Sequence, residues 1–239
     1  MIGVIGGNGV AATNKLCQLV EEKLTRNGAF RDAHHPEMLV VQATQVPSRS
    51  MYLEGRGPSF IDDYVDIGLK MKSFGCNMLC MCCNTAHFAI EEMEAKIGLP
   101  FINIIDEVAK VCNENGYEEV GVMCSDGCLK TKLYDKSFAK YAPKTKISYP
   151  DAEHQALVTL GICNAKNTKR YLPVDNKDNP ANLFDNVVKN FKLGGVKVIV
   201  SGCTDIHSVY YPKDAMNCYV DSLEVLANKI VDLYLRKEI

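Results

Sequence analysis

Residues 78–87 read MLCMCCNTAH and residues 198–207 read VIVSGCTDIH. Each opens as an apolar run of strand length, reaches a cysteine at its sixth position (Cys83, Cys203), and closes on a histidine (His87, His207). A second pair stands upstream in the same order: GVIGGNG at 3–9 and GVMCSDG at 121–127. The matching segments lie about 120 residues apart, which predicts two similar domains. Ligands in open parallel sheets bind beyond the carboxyl ends of the strands, where Cys83 and Cys203 are expected. If the domains face each other about a pseudo-two-fold axis, the two thiols approach one cleft from opposite sides.

The rest of the chain fits this frame. Strands are expected at 2–5, 38–43, 78–83, 101–105, 120–124 and 196–201. Helices are expected at 11–24, 62–73, 85–97, 132–141, 182–193 and 222–236, with 164–180 as a polar loop. Strands alternating with helices of this length predict βαβ units and parallel sheets. The expected fold class is α/β, with two similar domains of parallel sheet and an active site expected in the cleft between them. The N-terminal domain is expected over 1–110 plus a returning helix in 217–239, and the C-terminal domain over 111–216.

Composition narrows the partners. The formal net charge is -2, with no basic stripe, which argues against nucleic acid or an anionic membrane. No apolar run reaches the roughly 20 residues that span a bilayer, and the opening MIGVIGGNG has no basic leader. A cytoplasmic protein is expected. The eleven cysteines then read as free thiols, because the cytosol keeps thiols reduced. Most should be core filler; Cys17, Cys112, Cys163 and Cys218, in helix-like or apolar stretches, are expected to be structural.

Two thiols suit inversion at an α-carbon. One thiolate removes the proton from one face while the opposite thiol delivers a proton to the other, since cysteine serves as acid or base. Charge then develops on the α-carboxylate, which preorganised donors stabilise. Asn84, Thr85, Thr204 and nearby backbone N–H groups are the candidates.

Other readings are weaker. GNGVAA at 7–12 fits a variant dinucleotide fingerprint, yet MLVVQATQ lacks the acidic residue that motif expects. Cys80 and Cys83 have C-x-x-C spacing, and Cys124 and Cys128 lie four apart, so a zinc or thiol-redox protein is the rival class. No second C-x-x-C accompanies the first, and strand alternation points Cys80 and Cys83 to opposite faces.

The chain also resembles a known family. CNTAH at 83–87 and GCTDI at 202–206 are similar to the paired catalytic motifs of the aspartate/glutamate racemase superfamily. IGGNGVAAT resembles its IGGMGPLAT, QVPSR at 45–49 its QIPDR, and VDSLEVLA at 220–227 its IDPTEILA. The resemblance implies two Rossmann-like domains, catalytic Cys83 and Cys203, no cofactor, no metal and a homodimer. It implies that Arg49 grips one substrate carboxylate and Lys166 the second, with Asn8 and Cys128 also facing substrate. A planar guanidinium binds carboxylate bidentately. His87, Asp205 and His207 are expected in support.

Asn8 and Val10 replace the usual Met and Pro, Asp205 the usual Glu, His207 a common Pro, and Cys128 a frequent Thr. The implied substrate is a small dicarboxylic amino acid, aspartate before glutamate. Maleate isomerase, hydantoin racemase and a non-catalytic amino-acid-binding protein are the alternatives within the fold.

Overall fold

The computed structural model describes residues 1–212 and 218–239, so the expected domain boundary at 216/217 falls outside the described residues. The chain forms two compact units. The first is Met1–Glu107 with Leu223–Ile239, and the second is Val108–Ser222.

The first unit holds β1 (Ile2–Gly6), α1 (Val10–Arg26), β2 (Met38–Gln42), α2 (Arg49–Leu53), α3 (Ile61–Ser73), β3 (Met78–Met81), α4 (Ile90–Ile97) and β4 (Phe101–Ile102). α5 (Ile104–Glu114) carries the chain into the second unit. There follow β5 (Glu119–Cys124), α6 (Asp126–Lys130), α7 (Leu133–Tyr141), β6 (Lys146–Ser148), α8 (Ala152–Asn164), α9 (Pro180–Leu193), β7 (Val198–Gly202), α10 (Thr204–His207) and β8 (Tyr219–Asp221). α11 (Ser222–Leu235) returns to the first unit, where Lys23 pairs with Glu224 (3.3 Å) and Lys229 with Glu107 (3.6 Å).

Each unit has one four-stranded sheet of parallel pairs, in order β2-β1-β3-β4 in the first and β6-β5-β7-β8 in the second. Parallel sheets are covered on both faces, so inner strands read as continuous apolar runs. Every residue of β1 and of β7 is buried.

The registers correspond as well. Gly3 pairs with Leu79 in the first unit and Gly121 with Ile199 in the second. Both glycines let a crossover helix lie close to the sheet. A Cβ on Gly3 would stand 2.9 Å from Met71 Sδ on α3, and one on Gly121 2.8 Å from the Phe191 ring on α9. Cys83 follows Leu79 by four residues, and Cys203 follows Ile199 by four.

Several expected elements differ. The strand expected at 101–105 ends at Ile102, because Asn103 Oδ1 accepts from the amides of Ile105 (3.0 Å) and Asp106 (3.3 Å) and starts α5. The helix expected at 85–97 opens as a 3-10 helix over Asn84–Ala89 and becomes α-helical only at Ile90. α8 was not expected at all. Its buried face carries Gln155, Val158, Gly161 and Asn164 while Leu160 is exposed, so no apolar stripe marks it. Within the expected loop 164–180, Asn164 ends α8 and Pro180 starts α9, and the residues between are irregular apart from a 3-10 turn at Thr168–Tyr171.

Candidate active site

In the first unit, β3 ends at Met81, and Cys83 caps the 3-10 helix in extended backbone (φ -153°, ψ 109°). The Cys83 carbonyl accepts from the Ala86 amide at 3.2 Å and from His87 Nδ1 at 2.8 Å. The other His87 nitrogen, Nε2, accepts from the Ile104 amide at 3.2 Å. His87 is therefore a neutral imidazole with its proton on Nδ1. Burial lowers its pKa below the ordinary histidine value, only partly opposed by the backbone hydrogen bonds. With both nitrogens engaged, His87 holds the turn that carries Cys83 and is not placed to pass protons.

The other first-unit candidates surround the same strand ends. α2, which begins at Arg49, packs against the Cys83 turn. Arg49 Nη1 donates to the carbonyls of Pro47 (2.9 Å) and Val46 (3.3 Å), while its buried Nε has no partner. Asn8 sits in the turn after β1, where Gly7 adopts φ +78° against the Ala43 backbone. Asn8 Nδ2 donates to Tyr64 Oη (3.0 Å) and the Ile5 carbonyl (3.3 Å), and its buried Oδ1 accepts nothing. Buried polar atoms are ordinarily satisfied. In the first unit the Arg49 Nε donor and the Asn8 Oδ1 acceptor are left unmet, as is His35 Nε2. Asn84 and Thr85 are buried in the first turn after Cys83.

The second unit repeats the thiol placement. Cys203 directly follows β7, caps α10 with φ -142° and ψ 124°, and its carbonyl accepts from the Ile206 amide at 3.1 Å. Thr204 and Asp205 are buried beside it. Lys166, in the turn after α8, reaches Asp205: Nζ lies 2.9 Å from Oδ2. The same Oδ2 lies 3.9 Å from Cys203 Sγ.

The histidine of the second motif behaves differently from that of the first. His207 Nδ1 lies 3.2 Å from Asp221 Oδ1 on β8, both side chains buried but not aligned for a hydrogen bond. Asp221 carries no signal in the sequence, because a buried carboxylate at a strand end has no local pattern.

The remaining thiols separate by environment. Cys80, Cys82, Cys112, Cys124 and Cys128 are buried. Burial raises the Cys80 thiol far above its usual value and pushes Cys112 up to about 12. Cys124 is held high first by its hydrogen bond with Cys128 and then by burial. Cys128 thus lies in the core beneath its helix, its thiol on Cys124 rather than on a surface. Cys163, expected in the interior, is exposed, because it falls off the polar buried face of α8. Cys17 and Cys218 are only partly buried. Among the described residues no group of three His, Cys, Asp or Glu side chains is placed to hold a metal ion, and no helix is long and apolar enough to cross a membrane.

Each of the two parallel α/β units thus carries a partly buried cysteine just past an inner strand. The chain belongs to the Asp/Glu/Hydantoin racemase family, whose model matches residues 2–230. It is an isomerase of that family. It is 22% identical over 240 aligned positions to the "Broad specificity amino-acid racemase RacX" of Bacillus subtilis, covering 98% of each chain. It is 24% identical over 153 positions to a glutamate racemase of Limosilactobacillus reuteri, covering 63% of this chain and 52% of that one. Among solved structures, Picrophilus torridus aspartate racemase shares the fold at a TM-score of 0.81 with 22% identity, over 97% of this chain and 92% of that one. The glutamate racemase RacE1 of Bacillus anthracis does so at 0.68 with 14% identity, over 99% and 82%.

Proposed function

We propose that the chain racemises a dicarboxylic amino acid without a cofactor, aspartate first and glutamate next, with Cys83 and Cys203 acting on opposite faces of the α-carbon. One observation carries the reading. Each parallel unit, taken alone, sets a partly exposed cysteine in extended backbone at the first turn beyond its inner strand, at corresponding register. The other conspicuous thiols at the inner strands are buried, and burial disfavours the thiolate a base requires.

In the forward direction the thiolate of one cysteine takes the α-proton, and the thiol of the other gives its proton to the opposite face. The roles reverse for the other enantiomer. Arg49 would grip a substrate carboxylate, using the Nε donor that has no partner within the protein. Asn8 Oδ1 would accept from the ammonium. Asn84, Thr85 and Thr204 would stabilise charge developing on the α-carboxylate. Lys166 would meet the distal carboxylate. A cytoplasmic homodimer acting on a free amino acid belongs to the same reading.

A chiral assay over a panel of amino acids, without added pyridoxal phosphate or metal, tests it. Interconversion of aspartate enantiomers is expected, with glutamate slower. Dependence on pyridoxal phosphate would reject the cofactor-free mechanism, and inactivity on every dicarboxylic amino acid would reject the substrate class.

A further inference from the structure

We propose that the Lys166–Asp205 ion pair is a latch on Cys203, opened by the substrate's own distal carboxylate. This rests on the racemase reading above and names dicarboxylic amino acids as the class that switches on the second thiol.

A single oxygen faces two proton-bearing groups. Asp205 Oδ2 lies 2.9 Å from Lys166 Nζ and 3.9 Å from Cys203 Sγ. A carboxylate oxygen held by an ammonium attracts a second proton less than one that is not. With the pair closed, Asp205 Oδ2 is shared between the Lys166 ammonium and the Cys203 thiol.

The two partners differ in freedom. The Asp205 side chain is 5% exposed and sits on α10, whose turn is fixed by Ser208 Oγ donating to the Asp205 carbonyl at 2.7 Å. The Lys166 side chain is 46% exposed and ends a flexible four-carbon stem. Lys166 therefore has room to leave without backbone movement, while Asp205 stays buried on α10.

An amino acid with a second carboxylate offers Lys166 a new partner, and glycine or alanine does not. Once Lys166 leaves, Asp205 is a buried charge without its counterion, an unfavourable state. Taking the Cys203 proton relieves it. The S–H bond breaks, an O–H bond forms on Asp205, and the electron pair stays on sulfur as thiolate. That thiolate takes the α-proton, and the opposite thiol supplies a proton to the far face. Protons balance, and no oxidant or reductant is required.

The experiment is α-proton exchange in deuterated water, followed by NMR with aspartate and with alanine, on the wild type, Lys166→Met, Lys166→Arg and Asp205→Asn. The wild type should show kcat for aspartate at least about 100-fold above alanine, the scale of one acid–base group. Lys166→Met should raise kcat for alanine by at least about tenfold and shrink the aspartate advantage, because Asp205 is then permanently unlatched. Lys166→Arg should restore most of the wild-type preference. Asp205→Asn should lower kcat for aspartate by about 100-fold while KM moves little.

A purely gripping lysine gives a different result: Lys166→Met raises KM for aspartate and leaves alanine kcat where it was, which overturns the latch. Should Lys166→Met fail to fold by circular dichroism, Lys166→Gln, uncharged but still able to donate, gives the same comparison. If the wild type exchanges no α-proton with any amino acid, the racemase reading itself fails. If it exchanges but alanine kcat ignores Lys166, the latch alone fails.

Discussion

His87 Nδ1 donates to the Cys83 carbonyl at 2.8 Å, whereas His207, at the equivalent place in the second motif, turns instead toward Asp221 at 3.2 Å. Two motifs of the same length and order thus support their thiols by different means. In the first, the histidine clamps the peptide that carries the cysteine to the start of α5, through the Ile104 amide. In the second, the carboxylate of Asp205 stands beside the sulfur itself.

His87→Ala should lower kcat while leaving KM for aspartate within a few-fold, because the residue holds the Cys83 turn rather than the substrate. It should also lower stability by about 1–3 kcal/mol, since the Ile104 amide loses a buried partner. Urea unfolding and steady-state kinetics on the same preparation check both. An unchanged kcat would remove His87 from the support of Cys83.

Buried neutral His87 also sets a pH dependence. Its folded-state pKa lies below the unfolded value near 6.5. The unfolded chain therefore takes up the proton first as pH falls. Stability linked to this residue is complete above about pH 6.5 and is lost as pH falls from there toward the lower folded-state value, by up to about 1.4 kcal/mol per pH unit. The difference in unfolding free energy between wild type and His87→Gln should narrow over that acid window. A constant difference from pH 7 to pH 5 would contradict the assignment.

Arg49→Ala should raise KM for dicarboxylic amino acids by roughly 10- to 100-fold, the range of one charge-assisted hydrogen-bond set. Arg49→Lys should recover only part of this, because an ammonium lacks the planar fork. Initial rates over substrate concentration decide the point. Equal KM in all three proteins would place Arg49 outside the site.

Gly121→Ala should destabilise the protein by about 1–3 kcal/mol, as overpacking does, because the new Cβ would stand 2.8 to 3.0 Å from three atoms of the Phe191 ring. Gly195→Ala is a contrasting case, strained by its φ of +87° with open space around it. Gly121→Ala with Phe191→Leu should recover part of the loss if packing is the cause. A melting temperature of Gly121→Ala equal to wild type would show that α9 shifts freely.

The sequence was legible where chemistry and pattern coincide. The inner strands stood out because burial on both faces writes an uninterrupted apolar run, as in β1 and β7. The two cysteine motifs stood out because their order and spacing repeat. α8 was not legible, since its buried face mixes Gln155, Gly161 and Asn164 with a single Val158, and the glycine accommodates the Phe184 ring. The short strands β6 and β8 carry three residues each, too few for a pattern. Tyr64, the partner of Asn8, and Asp221, the partner of His207, are long-range contacts, and a linear reading has no signal for either. The Lys166–Asp205 pair joins residues 39 positions apart (205 − 166), so its closure could be read only from the fold.

The central claim is that Cys83 and Cys203 serve opposite faces of one α-carbon, and the most direct test is racemisation of L-aspartate in deuterated water with each cysteine intact or replaced. At low conversion, D-aspartate from the wild type should carry deuterium at Cα while the remaining L-aspartate stays protiated, and Cys83→Ala and Cys203→Ala should each abolish racemisation. Deuterium entering L- and D-aspartate at equal rates, or racemisation surviving in both alanine variants, would contradict the two-thiol account.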